Sequence, residues 1–317
     1  MGTLTSLLGI RYPIFQGGMS QVSDGRLAAA VAEAGGLGMI AGGNMTVEAV
    51  RNEIKIAKKL TDKPFGLNIV LLSHHAEALA SLVVEEGVKI VATGAGNPAR
   101  FIEAWKVAGV KIIPVIPSVA IAKKMCKLGV DAVVAEGMEA GGHIGKLTTM
   151  ALVPQVVDAV DIPVVAAGGI ADGRGMAAAF MLGASGVQLG TRFIVAKECC
   201  AHEAYKQCII ESSDISSTVT GAITGHPIRV LRNDLSKMLE ELDFVALDKR
   251  EEAVRRIEAL GEGALRRAVV DGDVSMGAIM AGQIAGLVRR EQGCDEIIRE
   301  IIGEFRSCLG KAEGLLI

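Results

Sequence analysis

Eight short apolar runs, each followed by a helical pattern, constrain this chain more than any other feature. The runs cover residues 13–15, 37–41, 65–70, 89–93, 111–116, 131–135, 163–167 and 185–189. Most are continuous rather than alternating, the pattern of parallel strands buried on both faces. Asp24, Thr46, Ser118 and Asp172 stand where helix N-caps are expected, and Gly35-Gly36 stops the first helix. Eight strand–helix units at this spacing predict an α/β fold, a (β/α)8 TIM barrel. A doubly wound sheet is the alternative, with fewer strands expected. Aromatic residues are only 3% of the chain, so Val, Ile, Leu, Ala and Met must fill the core.

The rhythm stops after residue 197. Residues 1–197 are read as the barrel and 198–274 as a smaller, mostly helical lid inserted after strand 8. Residues 275–317 are read as C-terminal helices returning to the barrel. Ile298, Ile301, Ile302, Phe305 and Leu309 fall on one helical face there.

Several classes of function are disfavoured. Net charge is -3 with no block of like charge, so neither nucleic acid nor a membrane surface is an expected partner. No apolar run reaches the ~18 residues of a membrane span. Six cysteines without a CxxC pair suit free thiols in a reducing compartment, and with no signal peptide visible the expected location is cytoplasmic. No spacing of His, Cys and Asp makes a catalytic zinc site.

A barrel of this kind presents its ligand site at the C-terminal ends of the strands. Those ends carry Gln16, Gly17, Gly18 and Met19; Gly42, Gly43 and Asn44; Asn68; Gly94 to Asn97; Glu136 to His143; Gly168 and Gly169; and Gln188, Leu189, Gly190 and Thr191. Glycines and amides dominate and charge is sparse, which suits a flat ligand lying against backbone. Paired small residues after strands seven and eight suit a phosphate held by main-chain N–H groups. Gly94, Gly96 and Ala99 formally match a dinucleotide fingerprint, but the following strand ends without the acid that would hold a ribose. His143, set among Gly141, Gly142 and Gly145, is the candidate acid, because imidazole exchanges protons near neutrality. His74 and His75 are read as surface residues, and His202 and His226 as lid residues, with Gly225 to Arg229 able to line the mouth.

Taken together, Gln16-Gly17-Gly18-Met19, Lys63-Pro64-Phe65-Gly66-Leu67-Asn68, Gly94-Ala95-Gly96-Asn97-Pro98, the Ala135 to Gly145 segment, Ala166 to Gly173 and Gln188 to Phe193 resemble the FMN-dependent nitronate monooxygenase and enoyl-reductase superfamily. Within it, Glu136, where the monooxygenase pattern usually has Gln, is similar to the flavin-dependent, type II enoyl-[acyl-carrier-protein] reductase branch. The resemblance implies FMN contacts at Gly17, Gly18, Met19, Asn68, Glu136, Gly141, Gly169, Gln188, Leu189, Gly190 and Thr191, with His143 catalytic. It implies hydride passing from NADH or NADPH through FMN to a trans-2-enoyl thioester, with His143 acting as imidazolium. An acyl-carrier protein as substrate and a homodimer are further expectations. Arg229, Arg232 and Lys237 are candidates for a basic carrier-protein patch. A monovalent cation is also compatible with the resemblance, without a motif of its own. Nitronate oxidation by O2 is the rival activity.

Overall fold

The computed structural model describes residues 3–43 and 45–314, so Asn44 lies outside the described residues. Eleven strands are numbered in chain order: β1 Ile14–Gln16, β2 Gly38–Ala41, β3 Phe65–Val70, β4 Ile90–Gly94, β5 Lys111–Ile116, β6 Val133–Glu136, β7 Gly142–His143, β8 Val164–Ala167, β9 Gly186–Leu189, β10 Ser217–Thr220 and β11 Ile228–Leu231. Eight of them form one parallel sheet in the order β1-β9-β8-β6-β5-β4-β3-β2. A parallel bridge between Phe15 and Leu37 brings its two edges together, with the Gln16 N–H donating to the Leu37 carbonyl at 2.9 Å. The sheet thus closes into the expected (β/α)8 barrel, with helices between the strands. The predicted caps form: the Asp24, Thr46, Ser118 and Asp172 side chains each accept from a first-turn N–H.

Strand alternation divides the core in two. Phe15, Met39, Ala92, Val134 and Val165 point into the barrel, where Leu4 and Leu8 of the short first helix join them. Ile14, Leu67, Val133 and Val187 point outward into the layer beneath the helices. The same period of two sends Asn68, Glu136 and Gln188 inward at the C-terminal rim. Glu136 pairs with Ala167 of β8, which pairs with Gln188 of β9, so the three stand at one level.

The segment after the barrel differs from the expected helical lid. It has helices, at Glu203–Ile210, Asp234–Asp243, Arg250–Gly261 and Ala264–Val269. It also contains the antiparallel pair β10–β11, and β11 pairs with β7 from the loop after β6. Strands of four and two residues separated by glycine turns leave too short an alternation to read from sequence. The 275–288 stretch is extended with one 3-10 turn, Gln283–Leu287, rather than a helix. The last helix, Cys294–Gly314, packs against the helix Gly173–Met181 and buries Ile297, Ile298, Ile301 and Ile302.

Candidate active site

A cavity of about 700 Å³ opens at the C-terminal rim. Gly17, Gly18, Met19, Asn68, Glu136, Gly141, Gly169, Gln188, Gly190, Thr191 and His143 all line it, although they come from five separate parts of the chain. Leu189 does not. It is 1% exposed and faces outward into the sub-helical core, because Gln188 takes the inward position of β9. Only its carbonyl reaches the rim, where it accepts from the Gly17 N–H at 2.9 Å. A groove of about 830 Å³ between Asp24, Lys59 and Cys200 is larger, but lies away from the strand ends.

The floor is shaped by close backbone approach. A Cβ on Gly18 would run into the Asn68 side chain, and one on Gly141 would sit 2.8 Å from Ala281 Cα. Gly168 and Gly169 both adopt left-handed conformations, with φ of +91° and +72°, so the chain turns sharply after β8. The N–H groups of Gly169, Ile170, Gly190 and Thr191 donate to no protein acceptor among the described residues. The Thr191 hydroxyl accepts from the Gly282 N–H at 2.9 Å. These features fit FMN: uncommitted main-chain donors for a phosphate, glycines against a ring, and the inward side chains of Asn68, Glu136 and Gln188 for ring edges.

Two carboxylates in the loop after β6 have different environments. Glu139 accepts from the Thr149 N–H with both oxygens at 2.9 Å. Thr149 Oγ1 lies 3.0 Å from Glu139 and 2.9 Å from the Gly168 carbonyl, so this pair braces the loop against the glycine turn. Glu136 makes no hydrogen bond to protein among the described residues, and desolvation pushes its carboxyl up to about 7.

His143 ends β7 and pairs with Ile228, while the Ile144 N–H donates to the Pro227 carbonyl at 3.1 Å. Its imidazole faces the cavity together with His226. Partial desolvation, with a smaller contribution from His226, holds its pKa below the usual histidine value. This favours the neutral imidazole at neutral pH over the expected imidazolium. The outer wall is apolar: Leu72, Leu265, Met280 and Ile284 line it. The buried Tyr205 hydroxyl donates to the Met280 carbonyl at 2.8 Å, and burial raises its pKa well above the usual phenol value.

The expected basic patch is not formed as read. Arg229 is 4% exposed and donates through Nε to the Met138 carbonyl at 3.1 Å and through Nη1 to Ser217 at 3.3 Å. Arg232 pairs with Glu240 and Lys237 with Asp234. His202 caps a helix, its Nδ1 accepting from the Ala204 N–H. The bracing by Glu139 and the buried role of Arg229 escaped the sequence, because both depend on contacts that only folding makes, the first within its own loop and the second 91 positions away. Arg229→Met is expected to lower stability by about 1.5–3 kcal/mol, since it removes a charged donor from a buried carbonyl. It should also move the His143 pKa back toward 6.5 as the loop loosens. Thermal unfolding and histidine NMR titration measure both, and an unmoved imidazole would mean that Arg229 has no hold on it.

Relatives share this architecture. The family model for nitronate monooxygenase matches residues 2–81 and 77–304. A 5-hydroxy-7a-methyl-1-oxo-octahydro-1H-indene-4-carboxyl-CoA dehydrogenase of Rhodococcus jostii is 34% identical, over 95% of this chain and 94% of its own. A probable nitronate monooxygenase of Staphylococcus saprophyticus is 36% identical, over 76% and 81%. Among solved structures, FabK from Thermotoga maritima superposes with a TM-score of 0.94 at 46% identity, covering 99% of each chain. Nitroalkane oxidase from Streptomyces ansochromogenes gives 0.83 at 28%, over 98% and 99%. With a profile spanning nearly the whole barrel and full-length relatives that are oxidoreductases, the chain belongs to the nitronate monooxygenase family.

Proposed function

We propose that the protein is an FMN-dependent reductase of trans-2-enoyl thioesters, with NADH or NADPH as donor and an acyl-carrier protein as the natural carrier. The observation that carries this reading is the two-part cavity. Its floor of glycines and amides suits a flavin, while its outer wall of Leu72, Leu265, Met280 and Ile284 suits an acyl chain longer than a small nitronate needs. The high identity to FabK, a type II enoyl-acyl-carrier-protein reductase, supports the same branch. The Rhodococcus relative, named for a carboxyl-CoA, is a further link to thioesters.

Bound FMN would supply hydride transfer. Residues of this chain supply the rest. Main-chain N–H groups at Gly169, Ile170, Gly190 and Thr191 hold the phosphate, and Asn68 and Gln188 orient the ring. His143 donates an N–H hydrogen bond to the thioester oxygen, stabilising the negative charge that develops there as hydride reaches the β-carbon, and the α-carbon then takes a proton from solvent at the cavity mouth. A neutral imidazole can serve as this donor, since one ring nitrogen carries a hydrogen. The apolar wall seats the acyl chain.

Anaerobic mixing of FMN-loaded protein with NADH or NADPH tests the proposal. Bleaching of the flavin, followed by its recolouring on addition of crotonyl thioester, is the expected result. No bleaching by either nucleotide, together with oxygen uptake on addition of an alkyl nitronate, would favour the monooxygenase activity instead.

A further inference from the structure

Glu136 stands at the inward end of β6, level with Ala167 and Gln188 on the next two strands. Ala167 flanks it, and directly beneath it the barrel interior is apolar, with Val134 and Val165. Three residues on, Glu139 has both oxygens committed to Thr149, whereas the Glu136 carboxyl has no partner among the described residues. The other titratable side chains at the cavity are Glu139, His143, His226 and Tyr205. Desolvation at this half-buried position displaces the Glu136 carboxyl upward to about 7. An ionised carboxyl left unpaired in such a place is costly, and taking up a proton relieves the cost.

We propose that Glu136 is held as a neutral acid against the flavin, donates one hydrogen bond to a ring heteroatom, and so couples cofactor seating to proton uptake. This rests on the FMN assignment made above. A protonated carboxyl offers one O–H donor and one carbonyl acceptor, the same pattern as a glutamine amide; the carboxylate offers acceptors only. Starting from the ionised form, binding takes one proton from solvent onto Glu136 and changes no oxidation state. In its ionised form the side chain also opposes the negative charge of the cofactor phosphate. Glu136→Gln keeps shape and donor but cannot titrate.

The test is FMN affinity of the apoprotein, read by quenching of flavin fluorescence between pH 6 and 9, in wild type and Glu136→Gln. Ionisation of the phosphate near pH ~6 and of the two histidines affects both proteins alike, so the ratio of their dissociation constants isolates Glu136. That ratio should be flat below pH about 7 and then rise by up to about tenfold per unit. Carbon-13 NMR of the wild-type glutamate carboxyls gives a second measurement that needs no stable variant. One carboxyl should titrate near neutrality and move upward on adding FMN. A constant ratio across the range, or no glutamate titrating above pH ~5, overturns the proposal while leaving the FMN assignment standing. Failure of FMN to bind at any pH overturns both.

Discussion

Replacing His143 by alanine should lower turnover of an enoyl thioester by about 10²- to 10³-fold, the range set by loss of one hydrogen-bond donor to a developing oxyanion. FMN affinity should stay within about threefold of wild type, on the order of 0.6 kcal/mol. The reasons are structural. The imidazole hydrogen-bonds to no protein group among the described residues, and its backbone is held by pairing with Ile228, which alanine preserves. The glycine floor is built from other segments. pH adds a second check. Because partial desolvation and His226 lower the His143 pKa, the imidazole is neutral through neutrality and becomes a charged, stronger donor only as pH falls through that lowered value. The His143-dependent part of wild-type kcat/KM should therefore increase on the acid side of neutrality, and that increase should be absent in the variant. Stopped-flow reoxidation of the reduced flavin by crotonyl thioester measures the rate. A variant within threefold of wild type would remove His143 from the chemistry.

The second large effect is expected at the turn after β8. Gly168 has φ of +91°, and a Cβ built there lies 2.8 Å from the Gly137 carbonyl oxygen and 3.1 Å from the Ala140 nitrogen. Alanine must either shift the turn or push the bracing loop away. Either movement displaces the Gly169 and Ile170 N–H groups proposed to meet the phosphate. Strain of this kind costs about 1–3 kcal/mol, and each 1.4 kcal/mol passed on to binding is tenfold in affinity. Gly168→Ala should weaken FMN about tenfold to a hundredfold, while riboflavin, which lacks the phosphate, should be affected less. Circular dichroism separates this from loss of fold. Equal affinity for FMN in the two proteins would show that the phosphate does not sit at this turn.

The barrel was legible because each strand pairs with neighbours supplied by the same strand–helix format. Apolar runs such as Lys111–Ile116 and Phe65–Val70 match their observed bounds. The rim was legible because glycines there serve no core purpose. Leu189 was misassigned because a motif names consecutive residues, whereas a strand turns alternate ones away from the site. Arg229 looked like surface charge because its partner, the Met138 carbonyl, is 91 positions away. The hairpin escaped because Ser217–Thr220 and Ile228–Leu231 are four residues each and gain their stability from each other and from β7. The lowered His143 pKa comes first from desolvation and then from His226, both of which only the folded chain supplies.

The three-stranded sheet at the mouth limits how the protein can be recombined with its relatives. Since β7 belongs to the barrel loop and β11 to the later segment, a chimera joined after residue 197 would inherit its imidazole from one parent and the ribbon that aligns it from the other. Crossovers there should yield coloured but sluggish hybrids unless both ribbon segments come from a single parent. Substrate range and proton donation in this lineage would then have had to diversify in step.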